Sequence, residues 1–365
     1  MSQPTPRLEI HPERISENAR AIVGLCHAHH IQVAGVTKVA RAHPDVVRAL
    51  EEGWVDLLAD SRIENLEAIR RLGTSLPLML VRIPTPSAAD RVVELADISL
   101  NSSYETLSLL SKAAVTQKKQ HKVILMVDLG DLREGVWPDQ VSSVLEKAFR
   151  LPNLIISGLG CNLACYGGVI PTSEKMQQLV DLRNECRKNL GMELNILSGG
   201  NSANLPLLAS GGMPNEINQL RIGETIQLGR NVIDRSPFPG TRQDAYRIAA
   251  EVIELERKPS VPTGSRGQDA FGGMPQFKDR GVRRRAICNI GRQDTVIENL
   301  EPEDPGIVIL GGSSDHLILD VEDARIPVKL GSEITFQPGY AALLAASTSP
   351  YVHKVVIHES DDLSS

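Results

Sequence analysis

A chain of 365 residues with 41% hydrophobic content can bury a large core, and its length suits one large domain with a smaller one. A formal net charge of −6, without a broad basic face, argues against nucleic acid or anionic membrane as a partner. No apolar stretch approaches a membrane span, and the N-terminus MSQPTPRLEIHPERI has prolines and charges instead of an apolar signal core, so the expectation is a cytoplasmic protein.

From Leu8 to Arg235, short β-rich runs alternate with helix-period segments. The strand candidates are QVAGVTK, DLLAD, LPLMLVRI, ISLNS, KVILMVDLG, IISGLGCNL, NILSGGNS and NQLRIGE. Helical patterns such as PDVVRALEEG and SRIENLEAIRRLG follow nearly all of them. Both of these stop at a glycine, Gly53 and Gly73, which predicts a left-handed cap at each. The alternation predicts an α/β fold, an N-terminal (β/α)8 TIM barrel over 8–235. A doubly wound open sheet would usually show a glycine-rich fingerprint after its first strand, whereas this strand ends in Val36, Thr37 and Lys38.

After Pro237 the texture changes. PSVPTGSRGQDAFGGMPQF reads as loops, and RRRAICNIG, GIVILGGSSDHLILDV, GSEITFQP and SPYVHKVVIH read as strands. These predict a C-terminal β domain over 236–358 and a disordered tail over 359–365. The basic run from Arg280 to Arg285 reads as a solvated strand or loop. The five cysteines, Cys26, Cys161, Cys165, Cys186 and Cys288, read as reduced thiols. Cys161 and Cys165 have no second pair of ligands nearby, so no metal site is expected.

Polar residues stand at or near the predicted strand ends: Lys38, Asp60, Arg82, Asn101, Asp128, Asn162, Ser198 and Arg221. In a barrel these ends converge on one mouth, where active sites are built. A lysine held against Val and Ala has its charged form disfavoured, which would free the Lys38 amine as nucleophile and base. In LSGGNSANL, Gly199, Gly200 and Ser202 end a strand and open a helix, a setting suited to an anion such as phosphate or to an ordinary turn. Gly223 and its neighbour follow on the next strand. Arg133 in VDLGDLREG either clamps a phenolate or carboxylate, or pairs with Asp128 or Glu134.

The order of Lys38, VDLGDLREG, GGNSAN and LRIGE resembles alanine racemase and its fold-type III relatives. The fuller resemblance is to the ornithine and lysine racemase branch. It includes GVTKV, LADSRIEN, VRIPTPS, NLACYGGVIPT, SGGNSANL, INQLRIGE, AEVIELERKPSVP, DAFG and GGSSDHLILDV, over roughly residues 8 to 357. The resemblance implies pyridoxal 5′-phosphate (PLP) carried on Lys38, with Arg221 on the pyridine nitrogen. Ser202, Gly223 and the backbone of Glu224 would hold the phosphate, Tyr351 would be a further phosphate contact, and Arg133 would lie near the phenolic oxygen. It also implies a homodimer with shared sites, and racemisation by two bases.

Two positions depart from alanine racemase. Asn162 stands where that family stacks a histidine on the cofactor ring, and Phe271 in DAFG stands where it brings a tyrosine as the second base. A phenylalanine cannot take a proton, which leaves Asp269, ranked first, and His316 as candidates, either of which is otherwise structural. A basic substrate would need a carboxylate for its distal ammonium, from among Asp60, Asp128, Asp269 and Asp315. Three alternatives remain at this stage: a PLP carrier, a PLP-dependent D-amino acid aldolase or dehydratase, and a barrel hydrolase without PLP.

Overall fold

In the computed structural model, residues 3–359 are described. The expected tail at 359–365 lies, past its first residue, outside the described residues. The chain divides into two compact units, one spanning Pro12–Gln243 and the other joining the segment through His11 to the segment from Asp244 onward.

The first strand, β1 (Arg7–Ile10), belongs to the second unit. It runs antiparallel to β10 (Tyr246–Pro259), with Leu8 opposite Ile248, and parallel to a strand formed by His353–Val356. Residues 8–11 were expected to open the barrel. They lie outside it because their backbone hydrogen bonds go to strands more than two hundred positions away, which a four-residue run does not reveal.

Eight parallel strands then close a barrel: β2 (Gln32–Val36), β3 (Leu57–Asp60), β4 (Leu78–Leu80), β5 (Ile98–Asn101), β6 (His121–Val127), β7 (Leu154–Cys161), β8 (Ile196–Asn201) and β9 (Gln219–Ile222). Closure comes from β9 pairing with β2, Gly35 opposite Ile222. Each of the eight predicted runs overlaps one of these strands, and β6 and β7 each begin one residue ahead of the predicted run, at His121 and Leu154.

The helices that follow are α1 (Pro12–His27), α2 (Pro44–Glu52), α3 (Ile63–Arg71), α4 (Ala89–Leu95), α5 (Tyr104–Thr116), α6 (Val141–Ala148), α7 (Ser173–Leu190), α8 (Leu205–Ala209) and α9 (Glu224–Leu228). Their starts are specified locally. Thr172 accepts a hydrogen bond from the Lys175 amide at 3.3 Å at the head of α7, and Ser103 accepts one from Thr106 at 3.1 Å at the head of α5. Gly73 takes a left-handed φ of 78°, but Gly53 has φ −82°, contrary to the expected cap. A Cβ at Gly53 would overlap the Ala19 methyl of α1, so close packing is what requires glycine there.

Alternation along the strands divides the barrel into an inner and an outer face. Ala34, Val36, Leu57, Ala59, Met79, Ile98, Leu100, Ile124 and Met126 form one packed cluster inside. Residues of the opposite parity face the helices.

The second unit is an eight-stranded sheet containing β1 and β10 to β16. Its remaining strands are β11 (Val282–Cys288), β12 (Leu300–Pro302), β13 (Val308–Gly312), β14 (Leu317–Asp320), β15 (Glu333–Pro338) and β16 (His353–Val356). The long β10 pairs with β1 and β15 along its first half and with β11 along its second, with a register irregularity between Val252 and Glu254. A helix, α10 (Tyr340–Thr348), interrupts the strands where the sequence showed no helical period. The basic run falls on β11 and just before it. Arg283 and Arg280 donate to Asp320 at 2.9 and 3.1 Å. Among the described residues no helix is long and apolar enough to cross a membrane.

Candidate active site

Five of the polar strand-end residues sit on or near the inner face of the barrel, and three do not. Asp60 and Asn101 follow Ala59 and Leu100, which belong to the inner cluster, so their side chains face the helix layer. Asp60 is sealed there by Thr37 Oγ1 (2.6 Å), the Arg62 amide (2.8 Å) and Asn65 Nδ2 (3.0 Å). Burial pushes its carboxyl above the usual range despite these donors. Asn101 donates to the backbone and hydroxyl of Ser99. Arg82 lines a cavity of about 280 Å³ with Arg62 and Arg91, beyond the ends of β3 and β4. The sequence placed all three at the mouth because a polar residue ending a strand reads alike on either face.

Arg221 forms the floor. It is 5% exposed, and it donates to Cys161 O at 2.6 Å and to the hydroxyl and carbonyl of Ser198. It makes no ion pair among the described residues. Burial lowers its pKa to about 10, with the neighbouring Cys161 thiol pulling the other way. A buried guanidinium whose hydrogen bonds all go to neutral acceptors is a fixed positive charge without a directly paired carboxylate among the described residues, although the charge of Glu134 also reaches it.

Above it, Asn162 is 9% exposed and accepts from Asn201 Nδ2 at 3.0 Å, while its own Nδ2 has no hydrogen-bond partner. Asn201 also donates to Leu163 O at 2.9 Å, so the loops after β7 and β8 are tied together. A buried amide with a spare donor is the kind of group a ligand satisfies. Ser202, also buried, accepts from the Thr225 amide at 3.3 Å, which links the end of β8 to the start of α9. A Cβ on Gly223 would stand 3.1 Å from Val36 Cβ, so glycine keeps β9 close to β2 at this level.

Lys38 opens a short 3-10 turn, Lys38–Ala40, one residue past Thr37. It is exposed, contrary to the expectation of a lysine held against Ala34 and Val36, because the chain leaves the strand before the lysine. Its charge reaches the Glu224 carboxyl. Burial raises that carboxyl's pKa, and Arg235 and Lys38 both oppose the rise. Glu224 is also ion-paired to Arg235.

Arg133 pairs with Glu134 and donates to Cys165 Sγ at 2.8 Å. Sequence reasoning missed Asp131, which is 1% exposed and accepts from the Tyr166 amide at 2.9 Å and the Val169 amide at 3.1 Å. It clamps the loop after β7 onto the loop after β6, which carries Arg133. The run VDLGDLREG contains it, but an aspartate in a glycine-rich loop reads first as a turn former.

The remaining predicted site residues lie in the second unit. Asp269 is exposed and accepts from the Phe271 and Gly273 amides at 2.9 and 2.8 Å. His316 holds Nδ1 at 2.9 Å from Asp315. Tyr351 is 64% exposed, and its amide donates to Ser349 Oγ at 3.2 Å.

A closed barrel with a lysine at its mouth and a buried cation on its inner face has the architecture of a barrel enzyme. The profile of the alanine racemase N-terminal domain matches residues 10–229. The ornithine racemase of Acetoanaerobium sticklandii is 43% identical over 353 residues, 96% of this chain and 99% of that protein. The lysine racemase of Thermotoga maritima is 41% identical over 350 residues, 96% of this chain and 98% of that protein. Among solved structures, alanine racemase of Clostridium difficile 630 superposes with a TM-score of 0.74 at 18% identity, covering 98% of this chain and 97% of the other, which shows the shared fold. The chain belongs to the alanine racemase family.

Proposed function

We propose that the protein interconverts the L- and D-forms of a basic amino acid, ornithine or lysine, with PLP as cofactor. The observation that carries the reading is Arg221, a buried cation that meets only neutral acceptors beneath the barrel mouth. The near full-length similarity to an ornithine and a lysine racemase supports the substrate class.

The residues present fit PLP. Lys38 would carry it, and Arg221 would face the ring nitrogen. Ser202, Gly223 and the Glu224 backbone would take the phosphate, with Tyr351 as the further phosphate contact that the family resemblance implies. Asn162 has an unused donor for a group at this level, and Arg133 stands near the mouth with its guanidinium fixed by Glu134 and Cys165. When bound, the cofactor stabilises negative charge at the substrate α-carbon.

Arg221, which stays protonated near neutral pH, would donate to the ring nitrogen and keep it unprotonated, a setting that would favour reversible proton transfer. The Lys38 amine takes the α-proton on one face and returns it in the reverse direction. For the opposite face we assign His316 ahead of Asp269. Asp315 holds His316 by Nδ1, and Nε2 makes no hydrogen bond among the described residues, whereas an Asp269 oxygen is committed to its own turn. As in the family, we place this group in a second copy of the chain, in a cytoplasmic homodimer.

Purified protein should absorb in the violet, and chiral chromatography should show inversion of ornithine or lysine faster than of alanine or serine. Bound cofactor with inversion of none of them would overturn the reading in favour of a carrier. His316→Asn should slow inversion while leaving deuterium exchange into one enantiomer. Equal loss for both enantiomers would remove the assignment of that histidine.

A further inference from the structure

We propose that the Glu224 side chain anchors the distal ammonium of the basic substrate, so that this residue sets the enzyme's preference for a cationic side chain. The inference rests on the racemase reading above.

Five carboxylates come into question. Asp60 faces the helix layer with both oxygens occupied. Asp269 and Asp315 are exposed and accept hydrogen bonds from their own turns. Asp128 accepts from the Gly130 and Leu132 amides at 2.8 and 3.2 Å with one oxygen, and the other accepts none among the described residues, but it follows β6, the strand across the barrel from β2.

Glu224 opens α9, just past the end of β9, and its carboxyl feels the charge of Lys38. β9 pairs with β2 in parallel, the last pair being Ile222 opposite Gly35, so the segments that carry Glu224 and Lys38 leave the barrel from neighbouring strands. Its side chain is 14% exposed, so its charge is worth more to a partner than a solvated one. Arg235 takes Oε1, whereas Oε2 accepts no hydrogen bond among the described residues and is not sealed from solvent.

The Arg235 guanidinium is itself 60% exposed and is presented by a tight loop in which its amide donates to Asn231 O at 2.9 Å. The carboxylate therefore has one oxygen held and the other open. A substrate whose α-carbon reacts at Lys38 carries its ammonium three or four methylenes away, which suits a carboxylate just past the end of the neighbouring strand. A lysine-side acid with a free oxygen is wasted on a neutral substrate, because burying it without a second donor is costly. Alanine has no group to offer there.

The test uses the holoenzyme with ornithine, lysine and norvaline, the last having ornithine's carbon chain without its ammonium. In Glu224→Gln the ratio of kcat/KM for ornithine over norvaline should fall about tenfold or more, mainly through KM. Calorimetric binding should show the same loss of preference, since interconversion of mirror images releases no heat. Glu224→Asp shortens the acid by one methylene and should shift preference from ornithine toward lysine. Two results would overturn the proposal: an unchanged ornithine-to-norvaline ratio, or a fall seen in Asp128→Asn instead. Failure of wild-type protein to invert any amino acid would be a different result, and would remove the racemase reading itself.

Discussion

In the barrel, polar side chains are held by residues on neighbouring strands, whereas in the β unit the candidate groups are held by their own turns. Arg221 on β9 bonds to β7 and β8, and Asn162 is gripped by Asn201 across the same gap. Asp269 and His316 instead lean on residues within four positions of themselves. Cross-strand support fixes a group against a rigid frame, and turn support leaves it free to move with its loop.

The largest effect should come from the barrel side. Lys38→Ala should lower racemisation by about a thousandfold or more, given what a positioned acid–base group contributes. Reduction with borohydride and peptide mapping should then find no cofactor-bearing peptide, whereas wild-type protein yields one containing residue 38. A labelled peptide elsewhere in the chain would break the contrast, since the reactive amine would not belong to the barrel.

Next is Arg221→Met, which should weaken cofactor binding about ten- to a hundredfold, the range for losing a hydrogen bond from a charged donor. The unfolding midpoint of cofactor-free protein should change little. Removing a buried charge that makes no direct ion pair among the described residues relieves desolvation, and this offsets the donors lost by Ser198 and Cys161. A large drop in the cofactor-free midpoint would mean that Arg221 serves the fold instead.

Acid should separate the two units. His121 in β6 is buried beside Ser99, and burial lowers its pKa to about 4. The unfolded chain binds that proton near the ordinary histidine value of about 6.5. Barrel stability should therefore be full above that value and decline as pH falls toward about 4. Asp320 in the β unit behaves differently. Its burial raises the carboxyl's pKa, but hydrogen bonds from Arg283 and the Glu322 amide more than offset this, so the net shift is downward. Its contribution persists above the unfolded value of about 3.9 and is lost only below it. Hydrogen exchange across a pH series should show barrel amides losing protection first, and His121→Gln should flatten the upper step. Simultaneous loss in both units would erase the distinction.

The same contrast explains what could be read in the sequence. Each barrel strand announces itself as a β-rich run with a polar end, and the number of runs predicts closure. Which face a polar end takes is not announced, because Asp60 and Asp128 look alike until Ala59 and Met126 are known to face inward. RLEI gives no sign of its distant partners. YAALLAAST is apolar on every side, so it lacks the period that marks a helix. Glu224 could be singled out only as a backbone position, since the open oxygen of its side chain depends on where Arg235 folds back.

The smallest effects concern two glycines that the sequence made equivalent. Gly53→Ala should cost about 1–3 kcal/mol, because the new methyl meets Ala19 and the helices must shift. Gly73→Ala should cost about 1 kcal/mol, because φ of 78° is unfavourable for a side chain although the space is open. Adding Ala19→Gly separates the causes: it should recover most of the loss at 53 and none at 73, as read by urea midpoints of the double variants. Equal recovery at both sites would mean that Ala19 acts through the general stability of α1. No recovery at 53 would place the cost in the backbone, and the packing account of that helix end would fail.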